Sequence, residues 1–230
     1  MAFLTEAELQ ALALSLKIAA AAVAFSLPAA VAVACLLARA RFPGRTLVDG
    51  LVHVPLVLPP VVVGYLLLVT LGRRSPIGGW LHETFGVTLI FNWKGAAVAA
   101  AVVSFPFMVR AIRLAVEAID PGVEQAARTL GAGRLDVFCT VTLPLMLPGI
   151  IAGAVTAFAA SLGELGAIIT FVSNIPGETR TLPLAIYTAI QTPGGEAAAA
   201  RLVALSIALA LAGLLLSELA ARRVRRMLGR

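Results

Sequence analysis

The stretch AIDPGVEQAARTLGAGRLDVFCTVTLPLMLPGI, residues 118–150, separates two long apolar runs and is the part of the sequence that best predicts the fold. Asp120 and Pro121 form a typical N-cap and first-turn pair, which predicts that a helix begins here. Glu124 stands in the first turns, where its charge complements the helix dipole, and Gly131 predicts the end of the helix. The helix has one apolar stripe at helical spacing, formed by Val123, Ala126, Ala127 and Leu130.

This short helix is predicted to lie at a membrane surface and to contact another protein. Its apolar stripe is mostly alanine, which contributes little burial energy in lipid but permits two backbones to approach closely. A small capped helix of this kind suits docking into a groove of a partner. The alternative is an amphipathic helix that lies on the lipid surface. A second helical stretch, 135–143, then leads through Pro144 into the next apolar run.

The composition of the whole chain indicates an integral membrane protein. The 230 residues are 60% hydrophobic and 13% charged, with a mean hydropathy of +0.98. A soluble domain is about half apolar and about a quarter charged. Intrinsic disorder, a disulfide-stapled secreted scaffold and an ordinary cytosolic enzyme are therefore excluded. The predicted fold class is an all-α membrane protein.

Five stretches are long and apolar enough to cross a bilayer, which requires about 20 apolar residues in a helix. The predicted spans are 11–37, 51–71, 95–116, 145–172 and 197–217. Prolines inside these spans predict broken helices that line a cavity, because hydrocarbon cannot satisfy the freed backbone groups. The alternative is that they reflect only the higher frequency of proline in membrane helices. The apolar run 182–190 is too short to span and is predicted to be re-entrant or interfacial.

The distribution of basic residues predicts the orientation of the chain. Most of the 18 lysine and arginine residues fall in the loops after the first and third spans and after the last span, which places those regions in the cytoplasm. The transmembrane domain, 9–220, then follows an extracytoplasmic N-terminal segment, 1–8, and precedes a basic cytoplasmic tail, 221–230. The loop 117–144 is cytoplasmic. Because the basic residues form short clusters between apolar runs, the net charge of +6 does not indicate a nucleic-acid partner.

The cytoplasmic loop resembles the EAA loop of type I binding-protein-dependent ABC importer permeases. The pattern of that loop is E-A-A, three residues, G, nine residues, I, any residue, L-P. The matching positions of this chain are Gln125, Ala126, Ala127, Gly131, Val141, Leu143 and Pro144. Gln125 takes the usual Glu position with Glu124 just before it, and Val141 replaces Ile. The resemblance implies that these positions, together with Glu124 and Leu130, couple transport to an ATPase.

Two further segments are similar to the molybdate permease branch of this family: SLGELGAIITF at 161–171 and ETRTLPLAIYTAIQTPGGE at 178–196. The first is also similar in sulfate, thiosulfate and ferric-iron permeases, so the second is more selective. The resemblance implies a type I importer transmembrane domain that imports molybdate, with tungstate or sulfate and thiosulfate as alternatives. It implies that the chain lies in the inner membrane and has three partners: a second permease copy, a cytoplasmic ABC ATPase dimer, and a periplasmic or surface-anchored oxyanion-binding protein.

The sequence contains no ATP site of its own. A P-loop needs G-x-x-x-x-G-K-[ST], and the two lysines of the chain, Lys17 and Lys94, stand in no such context. We therefore expect a transport subunit that is not an enzyme and binds no cofactor, with ATP and magnesium used by the partner ATPase. No metal site is expected either, since the one H-E pair, His82 and Glu83, lacks the second histidine of H-E-x-x-H.

A secondary transporter is the rival class, because broken helices and an intramembrane carboxylate also suit proton coupling. Such a protein predicts two internally similar halves, and no clear repeat is visible in the sequence. The cytoplasmic loop also stays unexplained by this class. The interpretation as an ABC permease accounts for both observations.

The predicted gate or pathway residues are Ser161, Gly163, Glu164, Arg180 and Thr181. A carboxylate at membrane depth is costly and usually faces a bundle interior or an aqueous cavity. Glu164 either forms part of a gate, paired with a cation or a backbone amide, or only fixes helix packing. Arg180 either attracts a tetrahedral dianion, since guanidinium donors match oxyanion geometry, or makes an interfacial or binding-protein contact.

Overall fold

The structure is a computed structural model that describes residues 4–227, and these residues form helices and connecting loops without strands. The helices are α1 (Glu6–Arg39), α2 (Arg45–Val57), α3 (Pro60–Leu71), α4 (Pro76–Phe85), α5 (Trp93–Glu117), α6 (Pro121–Thr129), α7 (Arg134–Val137), α8 (Leu143–Leu162), α9 (Gly166–Val172), α10 (Leu182–Gln191) and α11 (Glu196–Met227). One π-helical turn, Phe138–Thr142, joins α7 to α8. Within residues 4–227, four helical stretches are long and apolar enough to cross a membrane, and five if α2 and α3 count as one bent span.

Small residues hold the long helices α1, α5 and α8 close together. Ala30 and Ala34 of α1 are fully buried, as are Ala96 and Ala100 of α5. Gly153 of α8 lies against the backbone of α5, since a methyl group there would be 3.2 Å from the Met108 Cα atom. Interfaces of this kind are typical of membrane helices, where close backbone approach supplies the packing energy.

The buried side chains form two cores, named here after the short helix nearest to each. The α10-end core joins α1, α3, α5, α9 and α10 and contains Leu14, Ile18, Val63, Leu67, Ala96, Ala100, Ala167, Ile168, Phe171 and Leu184. The α6-end core joins α1, α5 and α8 and contains Ala30, Ala34, Leu37, Met108, Ile112, Val116, Met146 and Ala157. The long helices α1 and α5 contribute to both cores and connect the two ends of the molecule.

Two predicted spans are interrupted rather than continuous. The predicted span 51–71 consists of α2 and α3, which are bent by 115° at the break between them. Pro59 is the N-cap of α3 and Pro60 its first residue, and neither can donate the backbone hydrogen bond that a continuous helix needs there. The predicted span 145–172 is likewise divided into α8 and α9, with a break at 163–165.

The ends of the predicted segments also differ from the observed helices. The N-terminal segment 1–8 is not separate from the first span, because Thr5 caps α1 and the helix begins at Glu6; residues 1–3 lie outside the described residues. The basic tail 221–230 continues α11 as far as Met227, and residues 228–230 again lie outside the described part. A continuous helical stretch leads from Arg134 into the fourth span.

The other spans lie close to their predicted positions. The predicted span 95–116 corresponds to α5, which begins two residues earlier because the Asn92 side chain accepts hydrogen bonds from two N–H groups of its first turn. The short run predicted at 182–190 is α10, Leu182–Gln191. Its first N–H group, on Leu182, donates to the hydroxyl of Ser15 at 2.7 Å, and this contact seats α10 against α1.

Candidate functional site

The helix α6 has the local structure that its sequence predicts. The Asp120 carboxylate accepts a hydrogen bond from the Gly122 N–H at 2.8 Å, and Pro121 stands at the first position of the helix. Gly131 has a φ angle of +94°, the left-handed conformation that favours glycine and turns the chain away from the helix axis. The helix therefore has fixed ends on both sides.

The apolar stripe of α6 is uncovered in the single chain. The side chain of Leu130 is 89% exposed and that of Val123 is 46% exposed. Ala126 is exposed and Ala127 is half-buried, and the helix contains no buried residue. The stripe thus faces away from the bundle, as a surface for a partner requires.

The opposite face of α6 is attached to the bundle through one carboxylate. Glu124 Oε1 lies 2.9 Å from the Arg39 Nη2 atom and accepts a hydrogen bond from the Thr142 hydroxyl at 2.9 Å. The Glu124 side chain is only 12% exposed, and that of Arg39 is 33% exposed. These contacts join α6 to the last residue of α1 and to the π-helical turn before α8. Charge-assisted hydrogen bonds of this kind are stronger than neutral ones.

The position that matches the family's glutamate is not the one that makes the ion pair. Gln125 is exposed, whereas its neighbour Glu124 points to the bundle. Sequence reasoning did not identify Arg39 and Thr142 as its partners. The available signal was that Arg39 ends an apolar run on the same predicted side of the membrane as this loop.

The C-terminal part of the loop enters the fourth span through a widened turn. The Leu143 N–H donates to the carbonyl of Phe138, five residues earlier, and Pro144 follows directly in the first turn of α8. Leu143 packs against the α6-end core, and Val141 is half-buried. Turns of the π type often occur at functional sites. This turn contains Thr142, whose hydroxyl donates a hydrogen bond to Glu124.

Glu164 lies in the break between α8 and α9. It is 7% exposed, and its Oε1 atom accepts a hydrogen bond from the Ala167 N–H at 2.7 Å. None of the ion pairs among the described residues includes Glu164. Gly163 is the C-cap of α8, and the buried hydroxyl of Ser161 has no partner within the described part of the chain. The carboxylate thus contacts a backbone amide and not a cation.

Arg180 and Thr181 lie in the loop that precedes α10. The Arg180 Nε atom donates to Asn174 Oδ1 at 2.9 Å, and the Asn174 amide donates to the Thr188 hydroxyl at 2.8 Å. Thr181 is the N-cap of α10 and is buried, with no partner for its hydroxyl among the described residues. Arg180 is therefore held by an uncharged group and makes no ion pair with the described residues.

A further charged cluster, which sequence reasoning missed, joins α2 to α5. Arg113 lies 2.9 Å from Asp49 of α2 and 2.8 Å from Glu117 of its own helix. His53 Nδ1 is 3.2 Å from the other oxygen of Asp49. A cavity of about 490 Å³ lies beside these groups. Asp49 and Arg113 are too far apart in sequence for a local pattern to pair them.

Residues 26–226 match the family described as "Binding-protein-dependent transport system inner membrane component". The chain belongs to this family. It is 64% identical over 227 residues to the molybdenum transport system permease protein ModB of Escherichia coli strain K12, a similarity that covers 99% of both chains. It is 58% identical over 197 residues to the ModB protein of Haemophilus influenzae, covering 86% of each chain.

More distant family members share a large part of the chain. The sulfate transport system permease protein CysT of Escherichia coli strain K12 is 39% identical over 180 residues, covering 77% of this chain and 65% of that protein. The crystal structure of a bacterial ABC transporter that imports alginate has the same fold, with a TM-score of 0.74 and 21% identity over 96% of this chain and 81% of that one. The predicted fold class, an all-α type I importer transmembrane domain, is therefore confirmed.

Proposed function

We propose that this chain is the membrane-spanning permease subunit of an ATP-driven ABC importer that moves molybdate across the cytoplasmic membrane. The observation that carries the proposal is the identity of 64% over 99% of the chain to a molybdenum transport permease. Segment 178–196, which is similar to the molybdate permease branch, lies within this alignment. The capped and exposed helix α6 supplies the surface that an ATPase partner needs.

The proposed assembly contains two copies of this chain, two cytoplasmic ABC ATPase subunits and an oxyanion-binding protein on the outer side. The N-terminus lies outside and the C-terminus in the cytoplasm. Arginines at the α6 end of the bundle support this orientation, because the cytoplasmic side of membrane proteins is enriched in basic residues; they include Arg39, Arg41, Arg45, Arg110, Arg113, Arg128 and Arg134. The chain binds no cofactor itself, and the ATPase subunits use ATP and magnesium.

In this proposal, ATP-driven closure of the ATPase subunits moves α6. Leu130 and Val123 contact the ATPase, and Glu124 transmits the movement to the bundle through Arg39 and Thr142. Since Arg39 ends α1 and Thr142 precedes α8, the force reaches two long helices at once. These helices then tilt and open the pathway alternately to each side of the membrane.

Sulfate is the second candidate substrate, since the sulfate permease CysT is 39% identical to this chain. Molybdate, tungstate and sulfate are tetrahedral dianions, so discrimination among them would arise chiefly in the binding protein. A secondary transporter is disfavoured because the coupling helix and its ion pair would have no role in it.

The test is uptake of labelled molybdate in cells that lack this gene, with the wild type beside them and with tungstate and sulfate as competitors. We expect loss of high-affinity molybdate uptake and normal sulfate uptake. Normal molybdate uptake with impaired sulfate uptake would keep the permease function and refute the substrate. Full restoration by a version of the chain that lacks residues 120–131 would refute coupling through α6.

A further inference from the structure

The two interrupted spans meet at their breaks. Gly166, the first residue of α9, lies against Pro60, the first residue of α3: a methyl group on Gly166 would be 2.9 Å from the Pro60 Cβ atom. One turn further on, a methyl group on Gly64 would be 2.6 Å from the Ala167 carbonyl oxygen and 2.8 Å from the Thr170 Cβ atom. The half-helices α3 and α9 therefore contact each other at their backbones from their first residues onward.

The half-helices α3 and α9 pack in the same core, and neither α2 nor α8 contributes a residue to that core. Val63 and Leu67 of α3 pack with Ile168 and Phe171 of α9 in the α10-end core. On the other side of the breaks, α8 contributes Met146 to the α6-end core, and α2 contains no buried residue in the single chain. The breaks thus separate an α3–α9 block from α2 and α8, while α1 and α5 contact both ends of the bundle.

Glu164 holds the end of this block. The first N–H groups of a helix have no partner within that helix, and at membrane depth such groups are costly. The Glu164 carboxylate satisfies the Ala167 N–H at 2.7 Å while it is itself 7% exposed. No basic side chain among the described residues lies within 4.0 Å of it, so its contact is with the start of α9.

We propose that Glu164 is a positioning residue for transport. It caps α9 so that Gly166 and Ala167 stay against α3, and α3 and α9 move together as one block when the breaks at 58–59 and 163–165 bend. The inference rests on the proposed function, since it assigns Glu164 a role in the conformational cycle of an importer. In this proposal, Glu164 does not form a gate by pairing with a cation; it fixes the orientation of the half-helix α9 by capping it.

The consequence for transport is a change in coupling and not in nucleotide binding. Without the cap, the first turn of α9 loses its acceptor, and the contact between Gly166 and Pro60 loosens. ATP hydrolysis by the partner then continues, because α6 and its ion pair are untouched, but the movement of α8 is no longer transmitted efficiently across the break at 163–165 to the α3–α9 block. Transported substrate per ATP hydrolysed is therefore the quantity that reports on Glu164.

The first test compares Glu164→Gln with Glu164→Ala in complexes reconstituted into proteoliposomes with the ATPase and the binding protein. The amide oxygen of glutamine accepts the Ala167 N–H, whereas alanine offers no acceptor. We expect Glu164→Gln to retain wild-type coupling. We expect Glu164→Ala to transport about fivefold less molybdate per ATP, the size of effect that loss of one helix cap produces in a two-state equilibrium. Glu83→Ala, on the exposed surface of α4, is the control for loss of a carboxylate.

The second test perturbs the contact between α9 and α3 directly, by a substitution at Gly166. Gly166→Ala places a methyl group against Pro60, whereas Gly213→Ala in α11 places one where no atom lies within 4 Å. We expect Gly166→Ala to lower coupling as Glu164→Ala does, with the KM for ATP unchanged, and Gly213→Ala to behave as the wild type. The double variant Glu164→Ala/Gly166→Ala should be no worse than either single variant, because both changes disrupt one contact.

Three results would overturn the inference: normal coupling in Glu164→Ala, normal coupling in Gly166→Ala, or equal losses in Glu164→Gln and Glu164→Ala. The last result would show that the charge itself acts. If Glu164→Ala does not assemble, Glu164→Gln and Gly166→Ala decide the question by the same criteria. Failure of wild-type vesicles to accumulate molybdate would refute only the substrate, and the coupling of the variants is then compared with sulfate or tungstate.

Discussion

The contact between Glu124 and Arg39 offers the sharpest test of how α6 is attached to the bundle. Glu124→Gln and Arg39→Met each remove one charge from a pair whose atoms are 2.9 Å apart. The Glu124 side chain is 12% exposed, but Arg39 is a third exposed, so solvent screens part of the attraction. With the hydrogen bond from Thr142 left in place, we expect loss of the pair to cost about 1–2 kcal/mol.

The loss of this ion pair should weaken binding of the ATPase. A loosened α6 has to be ordered again on binding, so each single variant should bind the ATPase about tenfold more weakly, which corresponds to about 1.4 kcal/mol. The two substitutions remove the same interaction. The double variant should therefore bind about tenfold more weakly than the wild type and not about a hundredfold more weakly.

The assay is titration of the purified ATPase onto the permease in lipid nanodiscs, with the dissociation constant measured for the wild type, both single variants and the double variant. Glu178→Gln is a matched control, since this exposed carboxylate lies far along the chain from α6 and makes no ion pair among the described residues. Additive losses, or single variants that bind as tightly as the wild type, would refute the attachment of α6 through this pair.

Three further predictions follow from the contacts of the described residues. Arg113→Met removes the guanidinium that contacts both Asp49 and Glu117 and leaves Glu117 only the longer contact to Arg45 at 4.0 Å. We therefore expect a loss of stability of about 1–3 kcal/mol, measured as a lower thermal unfolding midpoint; an unchanged midpoint would contradict the role of this cluster in holding α2. Gly64→Ala forces a methyl group onto Ala167 and should destabilise the protein by about 1–3 kcal/mol, while Gly213→Ala should not; equal midpoints would show that α3 and α9 are not in backbone contact. Cys139 is exposed and Cys35 is half-buried. A membrane-impermeant maleimide should therefore label Cys139 rapidly in inside-out vesicles and slowly in right-side-out vesicles. The reverse pattern would contradict the proposed orientation.

Local patterns predicted several parts of this protein correctly. The fold class followed from hydropathy, because about 20 consecutive apolar residues in a helix match the thickness of a bilayer. The helix α6 followed from Asp120, Pro121 and Gly131, whose effects act within a few residues of chain. The helix α10 was predicted from an apolar run too short to span, and the structure places it against Ser15.

The interruptions of the second and fourth predicted spans were harder to predict from the sequence. Prolines indicated kinks, but Pro28 and Pro106 lie inside continuous helices, whereas Pro59 and Pro60 stand at a bend of 115°. A proline removes one backbone donor in every case. Whether the helix continues depends on the packing of the segments on either side, and that packing involves residues distant in sequence.

Hydropathy and helix capping are properties of neighbouring residues, and they were enough to predict an all-α membrane protein with a capped helix in one loop. The contacts of the charged residues depend instead on how distant segments pack. Arg39 and Glu124 are 85 positions apart, and the choice of Glu124 over Gln125 as the partner depends on which face of α6 meets the bundle. The Glu164 carboxylate contacts the Ala167 N–H only three residues further on, but the break that leaves this N–H without a helical partner was not evident from the sequence. The break lies where α9 packs against α3 through Gly166 and Gly64.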